Sequence, residues 1–118
     1  MNLAEFIDAR QEKNLNELKE FLRIPSVSAK SEHKPDIERA AKWIADNLRG
    51  AGFKSVEIIP TAMHPLVYAE SLEAPGKPTI LFYGHYDVQP AEPLDLWTTP
   101  ARCPQPHRHH HNSRPGHD

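Results

Sequence analysis

The 118-residue sequence is poor in cysteine, in long apolar stretches and in excess charge of either sign. Its one cysteine, Cys103, excludes an internal disulfide and leaves no argument for an oxidising compartment. No stretch approaches the roughly 18 consecutive apolar residues that a membrane-spanning helix needs. The start of the chain combines acidic side chains with amphipathic spacing, unlike a secretion signal. We therefore expect a cytoplasmic protein.

The charge balance also excludes two classes of partner. Fourteen basic and sixteen acidic side chains give a formal net charge of −2. Neither sign clusters strongly before residue 100, so we predict that the chain binds no nucleic acid and no membrane. The length allows one domain with a single core.

The first helix is predicted over residues 3–22, where apolar side chains recur at helical spacing. Asn2 is a plausible N-cap, and Glu5 stands where a capping box places its acidic member. Pro25 ends any helix at or before Ile24. The serine-containing segment that follows is predicted to be an ordered loop.

A second helix is predicted over residues 36–51. Pro35 suits its first turn, and Gly52 suits the left-handed residue that follows a helix, with Phe53 folding back onto the last turn. Its predicted buried face consists of Ile37, Ala40, Ala41, Ile44, Leu48 and Ala51.

Three strands are predicted after this helix, in the segments SVEIIP, LVYAES and TILFYG. The first two resemble half-buried strands. The run Ile80 to Tyr83 is apolar throughout, which favours an interior strand covered on both sides. Helices followed by strands of this kind indicate an α/β fold, a mixed sheet with helices packed on it.

Residues 101–118 differ in character from residues 1–100. They contain three prolines, five of the eight histidines and no large apolar side chain. Burial in such a segment cannot offset the entropy lost on ordering, so the segment is predicted to be a disordered tail. Its histidines can chelate metal, although adventitious binding is the simpler interpretation.

The stretch ILFYGHYDVQP carries the candidate site. In an extended chain residues i and i+2 point to the same side, so His85 and Asp87 can act as a pair if the strand continues that far. An imidazole is a common zinc ligand, and a carboxylate commonly orients it through its second nitrogen. One ligand does not make a zinc site, however, and a strand-end histidine with satisfied hydrogen bonds is the alternative interpretation.

Two motifs in order, FLRIPSVS and GHYDVQP with a downstream LW, make residues 15–100 resemble the amino-terminal part of the aminoacylase and dipeptidase family of zinc hydrolases. This family includes carnosine-type dipeptidases, acetylornithine deacetylase and succinyl-diaminopimelate desuccinylase. The form GHYDVQP is most similar to the dipeptidase branch. The resemblance implies that residues 1–100 are an incomplete portion of a zinc peptidase catalytic domain.

By the same resemblance, His85 is a ligand of one of two zinc ions. Asp87 is the candidate catalytic residue, which holds the imidazole in place. Two zinc ions would polarise the amide carbonyl of a dipeptide or N-acyl amino acid and supply hydroxide. The resemblance also implies full-length relatives that are often dimeric, and it leaves the oligomeric state of this chain open.

The sequence departs from the family pattern after Pro100. The family's bridging aspartate, its paired glutamates and its further ligands have no counterpart there, and Asp118 is the only remaining acid. A reading-frame shift or a gene fragment is one hypothesis for this change. We therefore expect an inactive, truncated hydrolase of marginal stability. The alternative is a non-enzymatic fragment that binds a partner chain, or that binds metal through its tail.

Other side chains receive structural interpretations. His33 and His64 are predicted to be solvent-facing loop residues, and Trp43 is predicted to pack at the margin of the core. Trp97 follows the metal motif closely and either lines a cleft or packs. Cys103 has no partner pattern that indicates a catalytic thiol.

Overall fold

The computed structural model describes residues 2–104. Its regular elements in that range are three α-helices and two strands: α1 (Leu3–Ala9), α2 (Gln11–Leu22), α3 (Lys34–Gly50), β1 (Ser55–Ile59) and β2 (Leu66–Glu70). Two short 3-10 helices cover Ser31–His33 and Leu94–Leu96. No described helix is long and apolar enough to cross a membrane.

The single helix predicted over residues 3–22 is two helices separated at Arg10. The backbone of Arg10 has φ −107° and ψ 2°, and its N–H bonds to the carbonyls of Ile7 and Asp8. The predicted capping box is confirmed, because the Asn2 side chain accepts from the Glu5 N–H and the Glu5 side chain accepts from the Asn2 N–H. Neither α1 nor α2 contains a fully buried residue. Packing against the rest of the chain therefore does little to hold the two segments together as one continuous helix.

Helix α3 begins two residues before the predicted start and is the centre of the small core. Its buried side chains are Ile37, Ala40, Ala41 and Ala45. Ala45 was not predicted to be buried, and the prediction for Ala51 is wrong because that residue is exposed. The loop after α2 adds buried Ile24 and Val27 to this core.

The end of α3 has the geometry that the glycine predicts. Gly52 adopts φ +101°. Its N–H donates to the Arg49 carbonyl at 3.0 Å, and the Phe53 N–H donates to the Leu48 carbonyl at 3.1 Å. These two bonds form the Schellman motif, which satisfies carbonyls that the helix end leaves without partners.

The sheet is smaller than predicted. Strands β1 and β2 pair antiparallel, with Ser55 opposite Glu70 and Ile59 opposite Leu66, and α3 packs against both strands. The predicted mixed sheet is thus wrong in detail: the sheet within residues 2–104 has two antiparallel strands. The coarser expectation, helices packed on a sheet, is confirmed.

The third predicted strand is not formed. Residues 80–83 have no strand assignment, and their side chains are 72% to 95% exposed. A strand that is apolar on both sides needs a hydrogen-bonding neighbour and cover on two faces. Local β-propensity at Ile80 to Tyr83 cannot replace those partners, and this explains the difference.

Residues 101–104 form a half-buried turn, in which the Cys103 N–H donates to the Pro100 carbonyl at 2.8 Å. The rest of the predicted disordered tail, residues 105–118, lies outside the described residues. The division of the chain at residue 100 stays a prediction.

The Schellman motif gives a first testable prediction. We expect Gly52→Ala to lower the free energy of unfolding by about 1–2 kcal/mol, because an alanine at this positive φ is strained. Gly50→Ala is the matched control: Gly50 is helical and no atom outside the local helix lies within 4 Å of an added Cβ. It should be neutral or stabilise by up to about 1 kcal/mol. Urea unfolding followed by circular dichroism measures both, and equal destabilisation by the two variants would contradict the assignment.

The exposed run 80–83 gives a second prediction. An uncharged, extended apolar segment promotes self-association, so Leu81→Lys should raise the concentration at which the chain associates by about tenfold. Leu72→Lys is the control, since Leu72 is also exposed but lies outside the run. Sedimentation velocity over a concentration series measures the effect. Equal effects of the two substitutions would show that general hydrophobicity, and not this run, drives association.

Candidate metal centre

His85 and Asp87 form a side-chain pair without the help of a continuous strand. His85 Nδ1 lies 2.9 Å from Asp87 Oδ1. An ionised carboxylate can only accept, so the proton of this hydrogen bond is on Nδ1. In the neutral ring Nε2 then carries a lone pair, and the His85 side chain is 80% exposed. This arrangement leaves Nε2 facing solvent with a free lone pair, while a carboxylate orients the ring from the opposite side, as it commonly does for histidines that bind metal.

The second oxygen of Asp87 is also bonded. The Ser28 hydroxyl donates to Asp87 Oδ2 at 2.5 Å, across 59 residues of sequence. This hydrogen bond is the main cause that lowers the pKa of the Asp87 carboxyl, while partial burial raises that pKa and the bond from His85 lowers it further. Asp87 therefore remains an ionised acceptor at neutral pH.

The loop that carries Ser28 is joined to residues 86–88 by backbone contacts. The Val88 N–H donates to the Ser26 carbonyl at 2.9 Å, and the Ser26 hydroxyl donates to the Tyr86 carbonyl at 3.0 Å. Val27 and Val88 form an isolated parallel bridge. We call these contacts the 26–88 clasp. They bring the two motifs of the family resemblance, FLRIPSVS and GHYDVQP, into direct contact.

Tyr86 is also held by a hydrogen bond from its side chain. Its hydroxyl donates to the Pro65 carbonyl at 2.5 Å, in the connection between β1 and β2. Partial burial raises the pKa of the Tyr86 hydroxyl, and the negative charge of Asp87 adds to that effect. The tyrosine therefore stays a neutral donor and ties residue 86 to the connection between β1 and β2.

The prediction of a solvent-facing His64 is wrong. His64 is half-buried, and its Nε2 lies 3.2 Å from the Ser28 carbonyl, to which it donates. Its Nδ1 is buried without a hydrogen-bond partner among the described residues. The sequence offered no signal for this contact, because a histidine before Pro65 between two strands has the pattern of an exposed turn. Leaving such an atom unpaired costs about 1–3 kcal/mol, so the surrounding contacts must offset that cost.

His33 also differs from its prediction. It lies at the start of α3, half-buried, with Nδ1 2.7 Å from Asp36 Oδ2. This contact is a second histidine–aspartate pair, separate from the candidate centre. Trp43 packs as predicted, with its ring centroid 5.0 Å from that of Phe21.

Trp97 has a packing contact of its own. Its indole N–H donates to the Ala91 carbonyl at 2.8 Å, and its ring lines a surface groove together with Leu22 and Pro90. The lining of this groove includes neither His85 nor Asp87. The groove is thus not the cavity of the candidate metal centre.

Among the described residues, the donor set around His85 is smaller than a zinc ion requires. A zinc site takes three or four protein ligands. Within residues 2–104 no group of three or more His, Cys, Asp or Glu side chains is placed to hold a metal ion. The described residues therefore fit one ligand with its orienting carboxylate and do not fit a complete zinc site. The role of His85 as a ligand stays a prediction.

Comparison with known proteins supports the resemblance seen in the sequence. The chain is 35% identical over 111 residues to the Beta-Ala-His dipeptidase of Rattus norvegicus. It is 30% identical over 109 residues to the Cys-Gly metallodipeptidase DUG1 of Candida albicans. Each match covers 82% of this chain and 22% of the relative. The chain is a homologue of metallodipeptidases. No family model matches it.

A solved structure agrees with the metallodipeptidase relationship. The dipeptidase Dug1p of Saccharomyces cerevisiae superposes with a TM-score of 0.73 and 29% sequence identity, over 82% of this chain and 22% of that one. The predicted resemblance to the dipeptidase branch is confirmed. The chain spans about a fifth of the length of the metallodipeptidases that it matches.

The His85–Asp87 contact predicts a particular tautomer. We expect the neutral His85 ring to carry its proton on Nδ1, and we expect Asp87→Ala to shift the proton toward Nε2 because the acceptor is lost. Ring ¹⁵N chemical shifts measured by NMR at alkaline pH report the tautomer. His33 is the internal control, since its own partner Asp36 is untouched by the substitution. A His85 ring that keeps its tautomer in Asp87→Ala would contradict the orienting role.

Proposed function

We propose that the chain is the amino-terminal portion of a metal-dependent hydrolase of the dipeptidase and deacylase type, which cleaves the amide bond of dipeptides or N-acyl amino acids. In this proposal His85 is a zinc ligand and Asp87 orients it. The observation that carries the proposal is the His85–Asp87 pair, in which Nε2 of His85 is directed away from the carboxylate, in a chain homologous to metallodipeptidases.

The residues of this chain supply a defined share of the chemistry. Zinc, when bound, polarises an amide carbonyl and lowers the pKa of a coordinated water. Asp87 keeps the proton of His85 on Nδ1 and so keeps the Nε2 lone pair available. Ser28 and the 26–88 clasp hold Asp87 against the core. The cleft itself, the general base and the other ligands come from residues other than these.

Hydrolysis by the 118 residues alone is not expected under this proposal. Within residues 2–104 no group of three or more potential ligands is placed to hold a metal ion, and three protein ligands are the usual minimum for a catalytic zinc. The cytoplasmic location and the use of two zinc ions remain predictions from sequence and resemblance.

A second candidate function is binding to a partner chain. Its support is the exposed apolar surface of the run 80–83, together with the exposed apolar side chains of α1 and α2. Exposed apolar area of this kind is typical of protein interfaces. An association measurement with candidate partners separates this function from hydrolysis, which needs metal.

The proposed ligand role can be tested in a tail-substituted chain, in which His107, His109, His110, His111 and His117 are replaced by Asn. These substitutions remove a competing source of histidine ligands. We expect Zn²⁺ to perturb the ring signals of His85 in NMR titrations, and we expect His85→Ala to weaken this binding by about tenfold or more. Dipeptide hydrolysis should be at background in both chains.

His33→Ala is the matched control, because it removes the other histidine–aspartate pair and should leave zinc binding unchanged. Zinc binding that is insensitive to His85→Ala would reject the ligand role. Two bound zinc ions together with dipeptide hydrolysis, both lost in His85→Ala, would show instead that this chain completes the site.

A further inference from the structure

The carboxylate of Asp87 is held at both oxygens. Oδ1 accepts from His85 Nδ1 at 2.9 Å, and Oδ2 accepts from the Ser28 hydroxyl. Rotation of the carboxylate about its Cβ–Cγ bond would break both hydrogen bonds together. The orientation of the His85 ring is therefore coupled to a serine that lies in another loop.

Ser28 is itself anchored through its backbone. Its carbonyl accepts from His64 Nε2, and its neighbours Ser26 and Val27 are buried. The 26–88 clasp fixes the same loop against residues 86 and 88. The Ser28 hydroxyl is thus a donor on a fixed support, which is the property that an orienting group needs.

We propose that Ser28 is a positioning residue for the metal ligand: its hydroxyl fixes Asp87, Asp87 fixes the imidazole of His85, and His64 fixes the backbone of Ser28. This inference rests on the proposed role of His85 as a zinc ligand. It extends the candidate centre by two residues whose side chains do not touch the metal-binding nitrogen.

A purely structural role of Ser28 makes a different prediction. If its hydroxyl only held the loop, Ser28→Ala would lower stability and leave the His85 ring unaffected. If the hydroxyl positions Asp87, the ring should change even where the fold is intact. The effect should also disappear when Asp87 is absent, since Asp87 is the only link through which Ser28 acts on the ring.

The first experiment uses the metal-free full chain. Ring ¹⁵N shifts should show that Ser28→Ala lowers the ratio of the Nδ1–H to the Nε2–H tautomer of His85 by about threefold or more, as expected for loss of one hydrogen bond. Ser28→Thr keeps a hydroxyl and should restore the ratio. Ser31→Ala, at an exposed serine three residues away, is the control and should have no effect. Backbone amide shifts of residues 86–88 report whether the clasp remains formed.

The second experiment measures Zn²⁺ binding in the tail-substituted chain. Ser28→Ala should weaken binding at His85 by about threefold to tenfold, and His64→Ala should act in the same direction. In an Asp87→Ala background, Ser28→Ala should add no further loss. This double-variant comparison isolates the path through Asp87.

The outcomes separate the two proposals. If His85→Ala leaves Zn²⁺ binding unchanged, the proposed function fails. If His85→Ala abolishes binding while Ser28→Ala changes neither the tautomer nor the affinity, the positioning role of Ser28 is overturned and the proposed function stands. If Ser28→Ala lowers the Zn²⁺ affinity equally in chains that contain Asp87 and in chains that carry Asp87→Ala, the positioning role is also overturned. If Ser28→Ala disrupts the clasp, Ser28→Thr decides the question. A folded Ser28→Thr chain in which the ratio of the two His85 tautomers is not restored would overturn the positioning role as well.

Discussion

The 26–88 clasp is the contact on which the candidate centre depends. Ser26 is buried, and both its carbonyl and its hydroxyl bond to the segment 86–88. A buried polar group that loses its partner costs about 1–3 kcal/mol, so separation of the two segments would incur that cost at several atoms together. Residues far apart in sequence are thereby held in register. The Ser28–Asp87–His85 contacts are built on this register.

A second constraint, the small size of the core, limits the stability of the chain. The core of the described residues is small: it consists of one isoleucine and three alanines on α3 and a few residues of the loop after α2, while many large apolar side chains are exposed. Stability from burial is correspondingly limited, because it scales with the apolar area removed from water. The run 80–83 shows the result: the chain has the side chains of an interior strand without the neighbours that an interior strand requires. The sheet accordingly stops at β2.

The parts of the structure that could be predicted from sequence are those fixed by local interactions. The capping box at Asn2 and the Schellman motif at Gly52 each involve residues within one or two helical turns, so the local amino-acid sequence determines their geometry. The run 80–83 failed as a strand because strand formation depends on partners elsewhere in the chain. His85 and Asp87 could be nominated from their spacing, and the family resemblance was confirmed. Ser28 and His64 could not be nominated, since their contacts exist only after the loop and the hairpin meet.

The pairing of His85 with Asp87 was expected to follow from the pleat of a continuous strand, and the structure gives it another basis. Residues 84–87 are not in a strand, yet the two side chains meet at 2.9 Å. Their geometry depends instead on Ser28 at the second carboxylate oxygen and on the clasp behind it. The orienting part of the centre therefore needs only the loop after α2 and the β1–β2 connection, and both lie within the described residues. The third strand, which is unformed, is not required to hold the His85 ring in this orientation. Completing a zinc site is a separate requirement, because it depends on ligands that the described residues do not contribute.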